Sequence, residues 1–223
     1  MDKIINKIHE SRLFGRIFKT VIYCLEQELS GCERVLDLGC GESSPIKYCK
    51  NIKYSLGVEI FKPALEKSKA QKIHTEYLNQ KIEDINFTPK SFDAVILIEV
   101  IEHLPKKMAL EIIKKAESWT TKKIIITTPN GFIPQEQINQ NLFEKHLSGF
   151  SVQDMKKLGF RVRGLAGLKC LRKERQDNAK QNLLNSIRFK PKIFWFTIAT
   201  LSQLITYYFP EKAFELFCIK NYE

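Results

Sequence analysis

Val35-Leu36-Asp37-Leu38-Gly39-Cys40-Gly41 is the stretch on which the fold turns. Arg34 to Leu38 is a short apolar strand, and the glycines after it stand where the backbone must turn sharply and a ligand can approach with no Cβ in the way. By itself this is only a sharp strand-to-helix turn. Working outward, Tyr54 to Ile60 is a second apolar run, and it ends on an acidic residue, Glu59, about twenty residues further on. At that spacing a carboxylate can accept both hydroxyls of a ribose. Pro45 to Lys50, between the two runs, supplies the helix that a parallel crossover requires.

The same alternation continues downstream. Pro63 to Lys72 is helical in pattern, and a short, poorly marked strand is expected near Glu76 to Asn79. Phe92 to Ile98 is continuous, β-branched and apolar, as a strand buried on both faces should be. Pro105 opens a helix that runs to about Trp119. Lys123 to Thr128 is the fifth strand, stopped by Pro129-Asn130-Gly131, and two short strands are expected near Phe160 to Gly164 and Leu168 to Leu171, after a short helix from Ser151 to Leu158. The predicted architecture is a doubly wound α/β fold, a mostly parallel seven-stranded sheet with helices on both faces. Three parts are expected: an N-terminal helix or helix pair in residues 1–30, a ligand-binding domain in 31–172, and a basic connector with an apolar helical extension in 173–223.

Composition narrows the class. With 43% hydrophobic and 27% charged residues, the 223-residue chain is neither disordered nor a polytopic membrane protein. Its six cysteines (Cys24, Cys32, Cys40, Cys49, Cys170 and Cys218) form no CxxC pair and no zinc-ribbon spacing, so they read as reduced thiols. Lys3, Lys7, Glu10, Arg12, Arg16 and Lys19 interrupt the first apolar positions, which predicts no secretory signal and a cytoplasmic location. The formal charge of +11 implies attraction to something anionic, whether nucleic acid, lipid head groups or a phosphorylated molecule.

Three phrases in order, Val35-Leu36-Asp37-Leu38-Gly39-Cys40-Gly41, Gly57-Val58-Glu59, and Ser91-Phe92-Asp93-Ala94-Val95-Ile96-Leu97-Ile98-Glu99-Val100-Ile101-Glu102-His103-Leu104, resemble the class I, Rossmann-like methyltransferases that use S-adenosylmethionine. The resemblance implies that Gly39, Cys40 and Gly41 lie under the methionine part of the cofactor, and that Asp37 positions this loop and the amino group. It also implies that Glu59 holds the ribose, with Ile60, Ile82 and Ile98 completing the cofactor site. A dinucleotide-dependent oxidoreductase would more usually carry a third glycine where this chain has Ser44, which favours the methyl donor over NAD. The family's adenine-binding aspartate falls on Lys81, which cannot accept a hydrogen bond, leaving Asp84 or the backbone at Ile82 for that edge.

Glu99, Glu102 and His103 crowd the end of the fourth strand, where the acceptor should sit. If the chain winds after Glu99, these three groups share a face. His103 can then be a general base oriented by Glu102 or Glu99. Alternatively Glu99, Glu102, His103 and His146 ligate a divalent metal, an arrangement similar to the metal-dependent RNA 2′-O-methyltransferases, with magnesium, manganese and zinc suited in rising order. A third reading has the carboxylate and imidazole only capping the next helix. The loop from Gly131 to Gly149 is the natural lid, with Phe132, Phe143 and Phe150 as candidate acceptor contacts.

The apolar segment Ile193 to Phe209 follows Arg188, Lys190 and Lys192. Phe194, Ile198, Leu201, Ile205 and Tyr208 share one helical face, but interspersed polar residues make a membrane span a poor reading. The segment 188–209 either packs over the N-terminal helix or makes peripheral membrane contact. The functional expectation is methyl transfer to an oxygen of a small-molecule or membrane-linked acceptor, with RNA as the alternative acceptor and a non-catalytic S-adenosylmethionine-binding module as the alternative class.

Overall fold

The computed structural model describes residues 7–136, 141–173 and 183–222. The short helices α1 (Arg12–Phe18) and α2 (Val21–Glu28) precede the sheet, each capped by a hydroxyl, Ser11 or Thr20, that accepts an amide of the first turn. There follow β1 (Arg34–Leu38), a 3₁₀ turn Pro45–Tyr48, β2 (Tyr54–Val58), α3 (Lys62–Ala70), β3 (Glu76–Leu78) and β4 (Phe92–Ile98). The second half holds α4 (Lys106–Trp119), β5 (Thr120–Pro129), α5 (Val152–Lys157), β6 (Arg161–Leu168), α6 (Lys192–Thr206) and β7 (Ala213–Asn221).

The seven strands lie in the order β3-β2-β1-β4-β5-β7-β6, the first five parallel and β7 antiparallel to both of its neighbours. Parallel strands covered by helices bury both faces, so Val35, Leu36, Leu38, Val95, Ile96, Leu97 and Ile124 to Ile126 are all fully inaccessible. The crossovers reverse direction between β1 and β4. At that switch point the carboxyl ends of the strands open a crevice, and ligands of doubly wound sheets bind there. Gly39 and Glu99 mark its two lips.

The edge beyond β5 departs from the sequence expectation. Leu168 to Leu171 is not a strand; Lys169–Leu171 is a 3₁₀ turn. The seventh strand is Ala213–Asn221, which inserts between β5 and β6 with Ile125 opposite Ile219 and Thr127 opposite Phe217. Its run Leu216-Phe217-Cys218-Ile219 is wholly buried, the pattern of a central strand. The chain beyond residue 173 thus completes the sheet as well as supplying a helix.

Helix α6 packs along β6 with its small and polar side. Gln203 accepts from the Gly167 amide at 2.6 Å and donates to the Gly164 carbonyl at 2.9 Å, and Ser202 accepts from the Leu168 amide at 3.0 Å. A Cβ on Gly167 would stand 2.0 Å from the Ala199 carbonyl oxygen, and its φ of +74° disfavours any side chain. Gly167→Ala should therefore lower stability by about 2 kcal/mol or more, read from the midpoint of urea unfolding. Gly31→Ala, with open space around its Cβ, is the control expected to change little. Equal stability of the two variants would refute this docking.

Candidate active site

The glycine turn is pinned to the next strand before any ligand arrives. The amides of Gly39 and Cys40 both donate to the Val58 carbonyl, at 2.8 and 3.0 Å. Gly39 has a φ of +68°, and a Cβ there would come within 2.7 Å of Val100. Gly41, at φ +57°, would meet nothing, so its bare backbone faces open space. The Glu59 carboxylate ties the turn to β2: Oε2 accepts from the Gly41 amide at 3.0 Å and Oε1 from the Phe61 amide at 2.7 Å. Each oxygen keeps a second lone pair for a ligand hydroxyl. Asn79 braces the same corner, its amide donating to the carbonyls of Glu59 and Ile60 at 2.7 and 2.9 Å.

Asp37 lies beneath this turn at the floor of the cleft, 1% exposed. It accepts from the Ser44 hydroxyl, and its Oδ2 is 3.4 Å from Nε2 of the equally buried His74. Burial pushes the Asp37 carboxyl up to about 7 against the pull of Ser44, with the Glu59 charge adding to the rise. Burial pushes the His74 imidazole down to about 4. Below its unfolded value of about 6.5, the unfolded chain binds a proton at His74 that the folded chain refuses. The stability contribution of neutral His74 is full above that pH and is lost as pH falls toward 4. Comparing melting temperatures of wild type and His74→Gln across this window isolates the effect, since Asp37 is common to both. The wild type should lose more stability on acidification, and parallel curves would refute the assignment.

The chemical end is built from two loops stitched together. After β4, Glu99 turns the chain with a φ of +55° into the 3₁₀ turn Ile101–His103. The Leu147 and Ser148 amides donate to the Glu102 carbonyl at 2.8 and 3.0 Å, and the Ser148 hydroxyl donates to the Ile101 carbonyl. That seam delivers His146 to His103, with ring centroids 4.8 Å apart at 65°. One ligating atom each of Glu102, His103 and His146 lies within 4.8 Å of the others. Glu99 is not in this group: its carboxylate accepts from the Thr127 hydroxyl at 2.8 Å. The left-handed turn at Glu99 separates it from the pair three and four residues on, so the helical convergence expected from the spacing is realised only for Glu102 and His103.

Both imidazoles present the same nitrogen to the backbone. Nδ1 of His103 meets the Lys145 carbonyl at 3.2 Å, and Nδ1 of His146 meets the Ile133 carbonyl at 2.7 Å. A carbonyl only accepts, so each Nδ1 carries a proton, which leaves Nε2 as the nitrogen free to accept or to ligate. Burial, with the neighbouring His146, lowers the His103 imidazole to about 4, keeping it neutral at physiological pH.

One cleft of about 720 Å³ joins the glycine turn, Glu59 and the Glu102, His103 and His146 group. That volume lies in the upper range for small-molecule sites. Although the chain is strongly basic, the cleft is not: nine carboxylate side chains line it against four lysines and arginines. A sulfonium donor and a cation-assisted acceptor both suit such a wall. The bare backbone at Gly41 and the carboxylate of Glu59 fit the methionine and ribose portions of S-adenosylmethionine.

Residues 36–118 match the family model described as a methyltransferase domain. The match lies over the glycine turn, Glu59 and the Glu102-His103 turn. The chain is 29% identical over 116 residues to (S)-tetrahydroprotoberberine N-methyltransferase of Eschscholzia californica, a match covering 47% of this chain and spanning only 31% of that protein's length. Its fold is that of a SAM-dependent methyltransferase from Archaeoglobus fulgidus (TM-score 0.54, 19% identity, 94% and 98% of the two chains covered). It is also that of an O-methyltransferase from a Brevibacillus brevis trans-AT PKS multienzyme in complex with S-adenosyl-L-homocysteine (TM-score 0.52, 17% identity, 93% and 72% covered).

Within the matched segment, Cys40, Ile60, Ile82 and Ile98 also line the cleft, and so does Lys81. Phe150 does not: it is fully buried in the core, bridged to Asn130, and Phe132 lies outside the cleft wall. Of the three lid aromatics only Phe143 reaches the cleft. Sequence reasoning missed Thr127, Ser148 and His74, whose roles depend on which strand ends become neighbours. It also missed the part of the cleft wall formed by Phe14, Phe18, Arg172, Ala199 and Thr200, contributed from both ends of the chain. Ser44 was legible only as a missing glycine; its hydroxyl is what Asp37 binds.

Proposed function

We propose that this chain transfers the methyl group of S-adenosylmethionine to an oxygen of a small-molecule acceptor, and that Glu102, His103 and His146 hold a divalent cation beside that oxygen. The observation that carries the reading is the commitment of both Nδ1–H groups to backbone carbonyls, because imidazoles that ligate a metal are usually fixed through their other ring nitrogen in this way. A cation held there would supply Lewis acidity, lowering the pKa of the acceptor hydroxyl. Gly39, Gly41 and Glu59 bind the donor and set its direction, and Glu102 supplies the negative charge of the ligand set. General base catalysis by His103 is disfavoured on energetic grounds, since an imidazole held near 4 is a weak acceptor for a hydroxyl proton. The carboxylate-rich lining speaks against RNA as acceptor, because phosphates would meet like charge there. Transfer of labelled methyl to a panel of hydroxylated acceptors, before and after chelation, tests the reading. Label found on nitrogen would remove the oxygen assignment, and transfer indifferent to chelation would remove the cation.

A further inference from the structure

Helix α6 is amphipathic the wrong way round. Its buried residues are Ala199, Gln203 and Thr206, whereas Phe194, Leu201, Ile205 and Tyr208 are 53–64% exposed. A helix of a soluble domain normally turns its apolar stripe to the core. Here the core side is chemically specified by hydrogen bonds to Gly164, Gly167 and Leu168 and by the absence of Cβ atoms at both glycines, so the helix has no freedom to roll its apolar face inward. Helix α1 touches α6 and extends the same surface with Leu13, 72% exposed, and Ile17, 50% exposed.

Along the two helical segments themselves the charge has one sign, with Glu10, Glu26 and Glu211 only at their margins. Residues 11–25 contain Arg12, Arg16 and Lys19 and no acid, and residues 183–210 contain Arg188, Lys190 and Lys192 and no acid. Among the described residues, Arg16, Arg188 and Lys190 enter no salt bridge. Phe189, Phe194 and Trp195 meet at the start of α6, close in sequence to Arg188 and Lys190, and the amphipathic ring of Trp195 is of the kind that favours a membrane–water boundary. No helix among the described residues is long and apolar enough to cross a membrane.

We propose that α1 and α6 form a docking face for the surface of an anionic lipid bilayer, with the apolar side chains entering the head-group boundary and Arg16, Arg188 and Lys190 meeting lipid phosphates. A neutral protein partner would explain the apolar face but not the exclusion of acids from both segments. The same two helices wall the cleft through Phe14, Phe18, Ala199 and Thr200, so docking brings the acceptor side of the cleft to the bilayer. The docking face is independent of the metal reading and survives its failure.

Flotation of the full chain with phosphatidylcholine vesicles, with and without phosphatidylserine, tests it. Wild type should float with the anionic vesicles, and added salt should weaken the association. Leu201→Asp/Ile205→Asp, at positions outside the cleft wall, should bind at least about tenfold more weakly while binding S-adenosylmethionine as wild type does. Arg188→Glu/Lys190→Glu should abolish the preference for anionic vesicles and provides an independent arm should the first variant misfold. Absence of flotation, or flotation undiminished in both variants, would overturn the proposal. So would a vesicle-free dimer that Leu201→Asp/Ile205→Asp dissociates, since a second copy would then be the occupant.

Discussion

Chelation of divalent cations is expected to lower methyl transfer by at least about a hundredfold, with manganese or zinc restoring it, while S-adenosylmethionine still binds. His146→Ala should reproduce the loss and resist rescue by added cation. The size follows from how the group is assembled. His146 arrives from a loop whose seam to Glu102 and Ile101 survives removal of the ring, so the substitution deletes one ligand and leaves the donor pocket intact. His103→Ala should do the same, because its Nε2 is the second imidazole nitrogen turned away from the backbone. Activity of His146→Ala within a few-fold of wild type would eliminate the cation from the mechanism and leave the two histidines as braces of the lid loop. Glu99→Ala provides an internal contrast. Its carboxylate binds Thr127 outside the group, so its loss should affect rate without changing cation dependence.

Glu59→Ala is the second large effect expected, and it acts on the donor. The carboxylate holds the Gly41 and Phe61 amides, both of which lose their acceptor on truncation, and it also loses its lone pairs for the ribose. Charge-assisted bonds of this kind contribute about 2 kcal/mol, or roughly a thirtyfold rise in Kd for S-adenosylmethionine by calorimetry. Glu59→Gln retains one carbonyl oxygen, and its loss should be smaller. Burial raises the Glu59 carboxyl above its ordinary value while the amides of Phe61, Gly41 and Ile60 pull it back. Donor binding should therefore weaken on acidification at a higher pH than a free glutamate would predict, since the protonated acid accepts fewer hydrogen bonds. Unchanged affinity in Glu59→Ala would remove the donor assignment and revive the reading of the chain as a fold without a working cofactor site.

Much of the architecture could be read directly. Phe92 to Ile98 lies where its β-branched run placed it, and the helix begun at Pro105 ends at Trp119 as its pattern required. The strand at Ala213–Asn221 was hidden for a physical reason: a strand between two neighbours buries both faces, so it carries no alternation to set it apart from the apolar helix before it. The inverted face of α6 was hidden for a related one. Phe194, Leu201 and Ile205 share a side by spacing alone, but spacing cannot tell which side is packed. That was decided by Gly164 and Gly167, thirty or so residues earlier, which give the backbone of α6 a surface to rest on.

The glycine turn, the acid at the end of the second strand and the Glu102-His103 pair follow from local sequence, because turn chemistry and strand ends are set by neighbours in the chain. Tertiary structure alone decided what those groups do. It sank Asp37 under the turn against His74 and Ser44, held Glu99 away at Thr127, and carried His146 across more than forty residues to stand beside Glu102 and His103. These are contacts between strand ends and loops that only the crossover order β3-β2-β1-β4-β5-β7-β6 makes adjacent.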